Sequence, residues 1–131
     1  MADLFAPNPL AQKMKVTILD LISDLRDNVF EQPDEQNDMM LVELFFKPLH
    51  PEMVAKHVVE HMLPHAEKIK ARDQSFFLNN KHIFAGLPND RIAYYSGFIT
   101  DANRVTEENR AMVWSYFDTL VTMAVQLKKK K

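Results

Sequence analysis

The stretch "TEENRAMVWSYFDTLVTMAVQLKKKK", residues 106–131, decides the fold of this protein. Thr106 is a favourable helix N-cap, because its hydroxyl can accept a hydrogen bond from a free amide of the first turn. Glu107 and Glu108 follow at the positive end of the helix, and the lysines 128–131 stand at its negative end. These signals predict one long helix from residue 106 to about residue 127.

The predicted helix is apolar around most of its circumference. At about 100° per residue, its polar positions share one arc of about 100°, and they are Ser115, Asp118, Thr119, Thr122 and Gln126. A helix of this kind is buried on several sides. It is either the central helix of a bundle, which is the favoured interpretation, or partly covered by a second chain. In the second case Trp114 and Phe117 are candidate interaction residues.

A second strong helix is predicted over residues 10–31. Its main apolar face has helical spacing, with Met14, Ile18, Leu21, Ile22, Leu25 and Val29. The opposite side is an acidic stripe, which is typical of a solvated helix face, formed by Asp20, Asp24, Asp27 and Glu31. Beside the main face lies a further apolar ridge, and its members Val16, Leu19 and Phe30 are candidate interaction residues.

Shorter elements are expected between these two helices. Residues 32–37 are predicted as a loop, with Asn37 or Asp38 capping the next element. Residues 38–47 suit a short helix or a buried strand, because periodicity alone does not separate the two. Pro51 suits the first turn of a helix to Leu63, and Pro64 then restarts the helix to about Arg72. An aromatic connector, 73–90, precedes a helix from Asn89 or Asp90 to about Ile99.

The fold class predicted from these elements is all-α. The chain has 131 residues and only two glycines, which disfavours phosphate-binding loops and β-hairpins together. We therefore expect a compact bundle of about five or six helices with a largely buried C-terminal helix. The expected organisation is a flexible tail over residues 1–9, one helical domain over 10–127 and a basic tail over 128–131.

Composition restricts the classes of partner and location. A net charge of −2 disfavours general nucleic-acid binding, although "KIKAR" (68–72) and "KKKK" (128–131) are basic. The chain contains no cysteine, which excludes disulfides and thiolate metal sites and indicates an intracellular, non-secreted protein. No apolar stretch approaches the roughly 20 residues that a membrane span requires. We expect no membrane association.

One metal motif is present, in "KHVVEHMLPHAEK", residues 56–68. Its H-x-x-E-H pattern matches the zinc site of the inverted zinc-metallopeptidases, with His57 and His61 as ligands and Glu60 as the base. However, His57 and His61 fall at the edge of an apolar arc, and Pro64 separates His65 from the regular helix. The large scaffold of those enzymes is also missing. We expect no metal and no cofactor, and keep a zinc site at His57, His61 and His65 as an alternative.

Nucleophilic catalysis is not indicated by the sequence. It requires a serine or cysteine held beside a base, and none of Ser23, Ser75, Ser96 and Ser115 stands in a recognisable elbow. We therefore expect that the protein is not an enzyme.

Two segments carry a resemblance that covers roughly residues 63–125. They are "LPHAEKIKARDQSFFLNNKHIFAGLP" and, about fifteen residues later, "TEENRAMVWSYFDTLVTMA". Together they resemble small uncharacterised proteins of the nucleocytoplasmic large DNA viruses, or giant viruses. The shared final helix is carried here by Asn109, Arg110, Val113, Trp114, Tyr116, Phe117 and Leu120. The resemblance implies a viral, all-helical small protein and supplies no catalytic residue.

The expected function is a non-enzymatic helical module that binds a protein, in the host cytoplasm or nucleus or in the virion. The alternative is a virion structural or weakly nucleic-acid-associated protein that uses the basic segments. Surplus apolar residues, including "MMLVELFF" (39–46), also predict a two-fold homodimer. In the competing interpretation, the connector wraps the bundle within one chain through Phe76, Phe77, Leu78, Ile83 and Phe84.

Overall fold

The computed structural model describes residues 9–73, 75–76, 86–101 and 103–129, and these ranges contain the six α-helices named below. No strand occurs in those ranges, so the predicted all-α class is confirmed. The helices are α1 (Pro9–Asp24), α2 (Pro33–Phe46), α3 (Pro51–His61), α4 (Ala66–Lys70), α5 (Asn89–Thr100) and α6 (Glu107–Lys129). A π-helical turn, Leu25–Val29, follows α1, and a 3₁₀ turn, Leu63–His65, joins α3 to α4.

Helix α6 is the centre of the bundle and packs against α1, α3 and α4. Thr106 caps it as predicted, since its hydroxyl accepts a hydrogen bond from the Asn109 amide at 3.1 Å. Trp114 and Phe117 are 3% and 1% exposed. The predicted burial of the C-terminal helix is therefore confirmed for the side that faces the core, whereas Val125 remains 36% exposed.

Phe76 closes one side of this core. Its ring centroid lies 6.5 Å from that of Trp114 and 5.5 Å from that of Phe117. The connector residues Phe77, Leu78, Ile83 and Phe84 lie outside the described residues. The prediction that the connector wraps the bundle therefore stays a prediction. Of the connector residues named in it, Phe76 is described and is buried.

The first helix differs from its prediction at both ends. Pro9 is already helical, so the predicted tail does not extend to residue 9, and residues 1–8 lie outside the described part. At the other end, the amide of Phe30 donates to the carbonyl of Leu25, five residues back, at 2.8 Å. This wider winding changes the helical register. On an unbroken α-helix Phe30 would lie within about 40° of Val16, but here Phe30 is completely buried.

The predicted loop 32–37 is wrong, because α2 begins at Pro33. Proline suits the first helical position, where an amide donor has no partner. Glu35 stands at the third position and accepts a hydrogen bond from the Gln32 amide at 3.2 Å, which is half of a capping box. These contacts start the helix five residues earlier than predicted. The open choice for residues 38–47 is resolved as helix.

Helices α3, α4 and α5 follow the prediction closely. Pro51 opens α3, and Pro64 lies in the 3₁₀ turn before α4. Helix α5 begins at Asn89 and ends one residue beyond the expected Ile99. Among the described helices, none combines the length and apolarity needed to cross a membrane.

Candidate interaction surface

Helix α2 carries an apolar surface that the described residues of the bundle leave open. Its inner side is buried at Met39, Val42 and Phe46, which are at most 2% exposed. The other side presents four large apolar residues, called here the α2 face: Met40 (49% exposed), Leu41 (50%), Leu44 (62%) and Phe45 (42%). The α2 helix is thus apolar on two sides, of which the core uses one.

Gly86 bounds one edge of the α2 face. Its φ of 97° lies in the left-handed region, which glycine adopts without strain. A Cβ atom at this position would approach the Phe45 Cβ atom to 2.9 Å. The chain therefore passes close to Phe45 only because residue 86 lacks a side chain, and Phe45 still remains 42% exposed.

Two carboxylates on successive turns of α2 bind it to α5. Glu35, 2% exposed, accepts a hydrogen bond from the Tyr94 hydroxyl and lies 3.8 Å from Arg104. Asp38 accepts hydrogen bonds from the Tyr95 hydroxyl at 2.6 Å and from Arg91 Nε at 2.7 Å. These bonds hold α2 in place, so the α2 face is presented on a fixed support.

The tyrosines of this network are set as hydrogen-bond donors. The bond to Glu35 raises the pKa of Tyr94 above its ordinary value, since ionising the phenol would place two negative charges together. Burial, with the bond to Asp38, raises the pKa of Tyr95. Between α6 and α1, burial and the bond to Asp24 raise the pKa of Tyr116 to about 12. All three phenols stay protonated at neutral pH and join neighbouring elements.

A shallow pocket of about 300 Å³ lies beside this network. Its lining includes Glu35, Arg104 and Asn109. Both carboxylate oxygens of Glu35 already accept hydrogen bonds from Gln32 and Tyr94. The pocket therefore offers no uncommitted buried carboxylate to a ligand.

The three candidate metal ligands pack as aromatic groups. The rings of His57 and His61 meet edge to face with centroids 4.8 Å apart, and His57 also contacts Phe46 at 5.6 Å. His65 is the last residue of the 3₁₀ turn, and its ring centroid lies 5.7 Å from that of Phe76. In the part of the chain that the structure describes, no three histidine or acidic side chains form a group that could hold a metal ion.

The general base of the peptidase hypothesis also has another partner. The Glu60 carboxylate lies 3.8 Å from Lys56 Nζ, one turn away on the exposed side of α3. The expected absence of a metal stays a prediction, and the zinc alternative gains no geometric support.

The five predicted interaction residues separate into two groups. Val16 is 52% exposed and Leu19 is half-buried on α1. Phe30, Trp114 and Phe117 are buried in the core of the chain, and their part in an interaction surface stays a prediction. For Phe30 the reason for this burial is the π-helical turn, and its ring packs on Tyr95 and Phe98 at 4.8 and 4.9 Å.

The α2 face was not predicted as a site, although its segment carried a signal. "MMLVELFF" has too many apolar residues for a helix with one buried side. Because the sequence did not decide whether residues 38–47 form a helix or a strand, it did not show which of these residues share a face. Once the segment is known to be helical, positions 40, 41, 44 and 45 fall on one side at helical spacing.

Several charged residues of the acidic stripe and of the segment "KIKAR" already form hydrogen bonds or ion pairs within the chain. In the acidic stripe, Asp24 accepts the Tyr116 hydroxyl, and Asp27 pairs with Arg26 at 3.1 Å. In the basic segment "KIKAR", Arg72 pairs with Asp118 at 2.6 Å and lies 5.7 Å from the Trp114 ring centre. These groups therefore stabilise helix contacts before any partner is considered.

No family model, curated protein or solved structure matches this chain.

Proposed function

We propose that this protein is a non-enzymatic helical module that binds a protein through the α2 face. The observation that carries the proposal is the exposure of Met40, Leu41, Leu44 and Phe45 by 42–62% on one side of a single helix. Contiguous apolar patches of this kind mark interaction sites on soluble proteins.

The size of the α2 face supports this role. The four side chains leave roughly 400 Å² exposed, and burying that area is worth about 10 kcal/mol before the costs of association. Helix α2 is held to α5 through Glu35 and Asp38. Because the support is already ordered, a partner does not have to order it on binding.

The polar clusters favour a non-enzymatic role. Glu35, Asp38 and Asp24 each accept a tyrosine hydroxyl from another helix. Such bonds satisfy buried polar groups and fix helix positions. We assign these clusters to the stability of the bundle and not to catalysis.

The resemblance to giant-virus proteins supports a viral setting for this module. We place its action in the host cytoplasm or nucleus of an infected cell, or in the virion. A virion structural or weakly nucleic-acid-associated role is the second candidate, favoured by the exposed Lys68, Lys70, Lys128 and Lys129. Binding through these lysines would weaken steeply as salt is raised, whereas binding through an apolar face would not.

Site-specific photo-cross-linking tests the proposed surface. A photoreactive phenylalanine analogue replaces Leu44 in one variant and the exposed Lys56 of α3 in a matched control. Irradiation in the producing cells should give a discrete protein adduct from position 44 and none of that mass from position 56. Equal adducts at both positions, or none at position 44, would contradict the proposal.

A further inference from the structure

We infer that Gly86 is a positioning residue of the α2 face: its bare Cα atom lets the chain lie against Phe45 and keeps that ring in the surface that a partner contacts. This inference rests on the proposed function, because it concerns the same surface. Three observations carry it: the close approach at residue 86, the anchoring of the chain that follows, and the second contact of the Phe45 ring.

A side chain at residue 86 would meet the base of Phe45 and not its tip. A Cβ atom on Gly86 would lie 2.9 Å from the Phe45 Cβ atom, 3.2 Å from its Cγ atom and 3.4 Å from its Cδ1 atom. The Phe45 Cβ atom is fixed by the backbone of α2, so rotation about χ1 moves the ring but not this atom. The added atom therefore has to displace the chain at residue 86 together with Phe45.

The chain that follows Gly86 is anchored to the bundle. Leu87 is 8% exposed and belongs to the core. Five residues after Gly86, Arg91 Nε donates a hydrogen bond to Asp38 at 2.7 Å. Asp38 and Phe45 belong to the same helix, so this bond ties the chain near residue 86 to the helix that carries the ring. Because Leu87 resists movement of the chain, part of any displacement falls on Phe45.

The Phe45 ring has a second neighbour within α2. Its centroid lies 5.2 Å from that of Phe46, and the two rings meet edge to face, which is a preferred arrangement of aromatic pairs. Phe46 is 2% exposed and therefore forms a fixed support. Phe45 is thus placed by Phe46 and Gly86 while it remains 42% exposed. A partner meets a ring that is already in position, which lowers the ordering cost of binding.

Phe45 is the one aromatic side chain among the four residues of the α2 face. Large aromatic side chains dominate the energetics of many interfaces. A ring displaced from the face loses contact with the partner, although the rest of the face is unchanged. We therefore expect a methyl group at residue 86 to weaken partner binding about fivefold.

Photo-cross-linking from position 44 in the producing cells, in a Gly86→Ala background, tests the inference. The matched control is Gly97→Ala, because Gly97 is exposed on α5 and an added Cβ atom there meets nothing within 4 Å. The adduct from position 44 should fall about fivefold in Gly86→Ala and keep its wild-type yield in Gly97→Ala. The helical circular dichroism signal of both purified variants should be unchanged.

A second substitution separates the contact with Phe45 from backbone strain. Gly86 has a φ of 97°, so alanine is strained there as well as crowded. Gly86→Asn adds the same Cβ atom, but asparagine tolerates a positive φ better. Both variants should lose the adduct to a similar extent. A full yield in Gly86→Asn would show that strain, and not displacement of Phe45, causes the loss in Gly86→Ala, and would overturn the inference.

Nuclear magnetic resonance of the Phe45 ring in the purified protein gives a readout that a general loss of stability would not change. The ring resonances should shift in Gly86→Ala and Gly86→Asn but not in Gly97→Ala. A wild-type adduct yield in Gly86→Ala, or a reduced yield with unshifted Phe45 resonances, would overturn the inference and leave the proposed function standing. A wild-type chain that gives no adduct from position 44 would remove both.

Discussion

Arg72 has a left-handed backbone conformation, with φ of 59°, just beyond the end of α4. Glycine usually occupies this position, because other residues are strained there. The amide of Asp73 closes the turn on the Lys68 carbonyl at 2.9 Å. The guanidinium then reaches Asp118 of α6 at 2.6 Å. Arg72 therefore combines a strained backbone conformation with a side chain that forms an ion pair with α6.

This coincidence predicts an unusual order of stabilities at position 72. Arg72→Ala keeps the backbone strain and loses the contacts with Asp118 and Trp114. Arg72→Gly loses the same contacts but relieves the strain. The glycine variant should therefore be more stable than the alanine variant, by about 1 kcal/mol. Urea unfolding followed by Trp114 fluorescence measures both, and an alanine variant as stable as glycine would show that the conformation carries no strain.

At the scale of the element, α2 shows how a helix can serve two surfaces. Its buried side fills the core through Met39, Val42 and Phe46, while its other side forms the α2 face. Two consecutive methionines, residues 39 and 40, stand on opposite sides of this division, at 0% and 49% exposure. The same substitution at both methionines therefore compares the stability effect of a core position with that of a surface position on one helix.

We expect Met39→Gln to lower the free energy of unfolding by about 3 kcal/mol, since it buries an amide without assured partners. Met40→Gln should change it by less than about 0.5 kcal/mol. Urea unfolding of the dilute purified variants gives both values. Equal losses at the two positions would mean that the chain itself covers the α2 face.

Sequence patterns predicted long elements better than the contacts that end or begin them. The apolar spacing of α6 and the cap at Thr106 are local signals, and both were confirmed. The π-helical turn before Phe30 is not local in this sense, because it aligns that ring with Tyr95 and Phe98, far along the chain. The early start of α2 at Pro33 had local signals, in Pro33 and Glu35, that were outweighed by the polar composition of residues 32–37.

At the scale of the whole molecule, the buried centre is α6 and the open surface is α2. The sequence indicated surplus apolar residues on α1, α2 and α6 alike. Packing between helices determines which of these apolar residues are buried. Helix α6 packs against α1, α3 and α4 and leaves Val125 36% exposed, the α1 ridge is reduced to Val16 and the half-buried Leu19, and α2 keeps four exposed residues. Which apolar residues are buried depends on neighbours that are distant in sequence, so helical spacing alone does not predict it.

Methionine oxidation tests the central claim, the burial of the α2 face in an assembly, most directly. Met40 lies in this face, whereas Met53, 59% exposed, lies on α3 outside it. In dilute protein, hydrogen peroxide should oxidise both at similar rates, since both thioethers are accessible. In the producing cells, where the partner is present, mass spectrometry should show the oxidation of Met40 slowed several-fold while that of Met53 is unchanged. The same rate of Met40 oxidation relative to Met53, in the producing cells and in the dilute purified protein, would contradict the account.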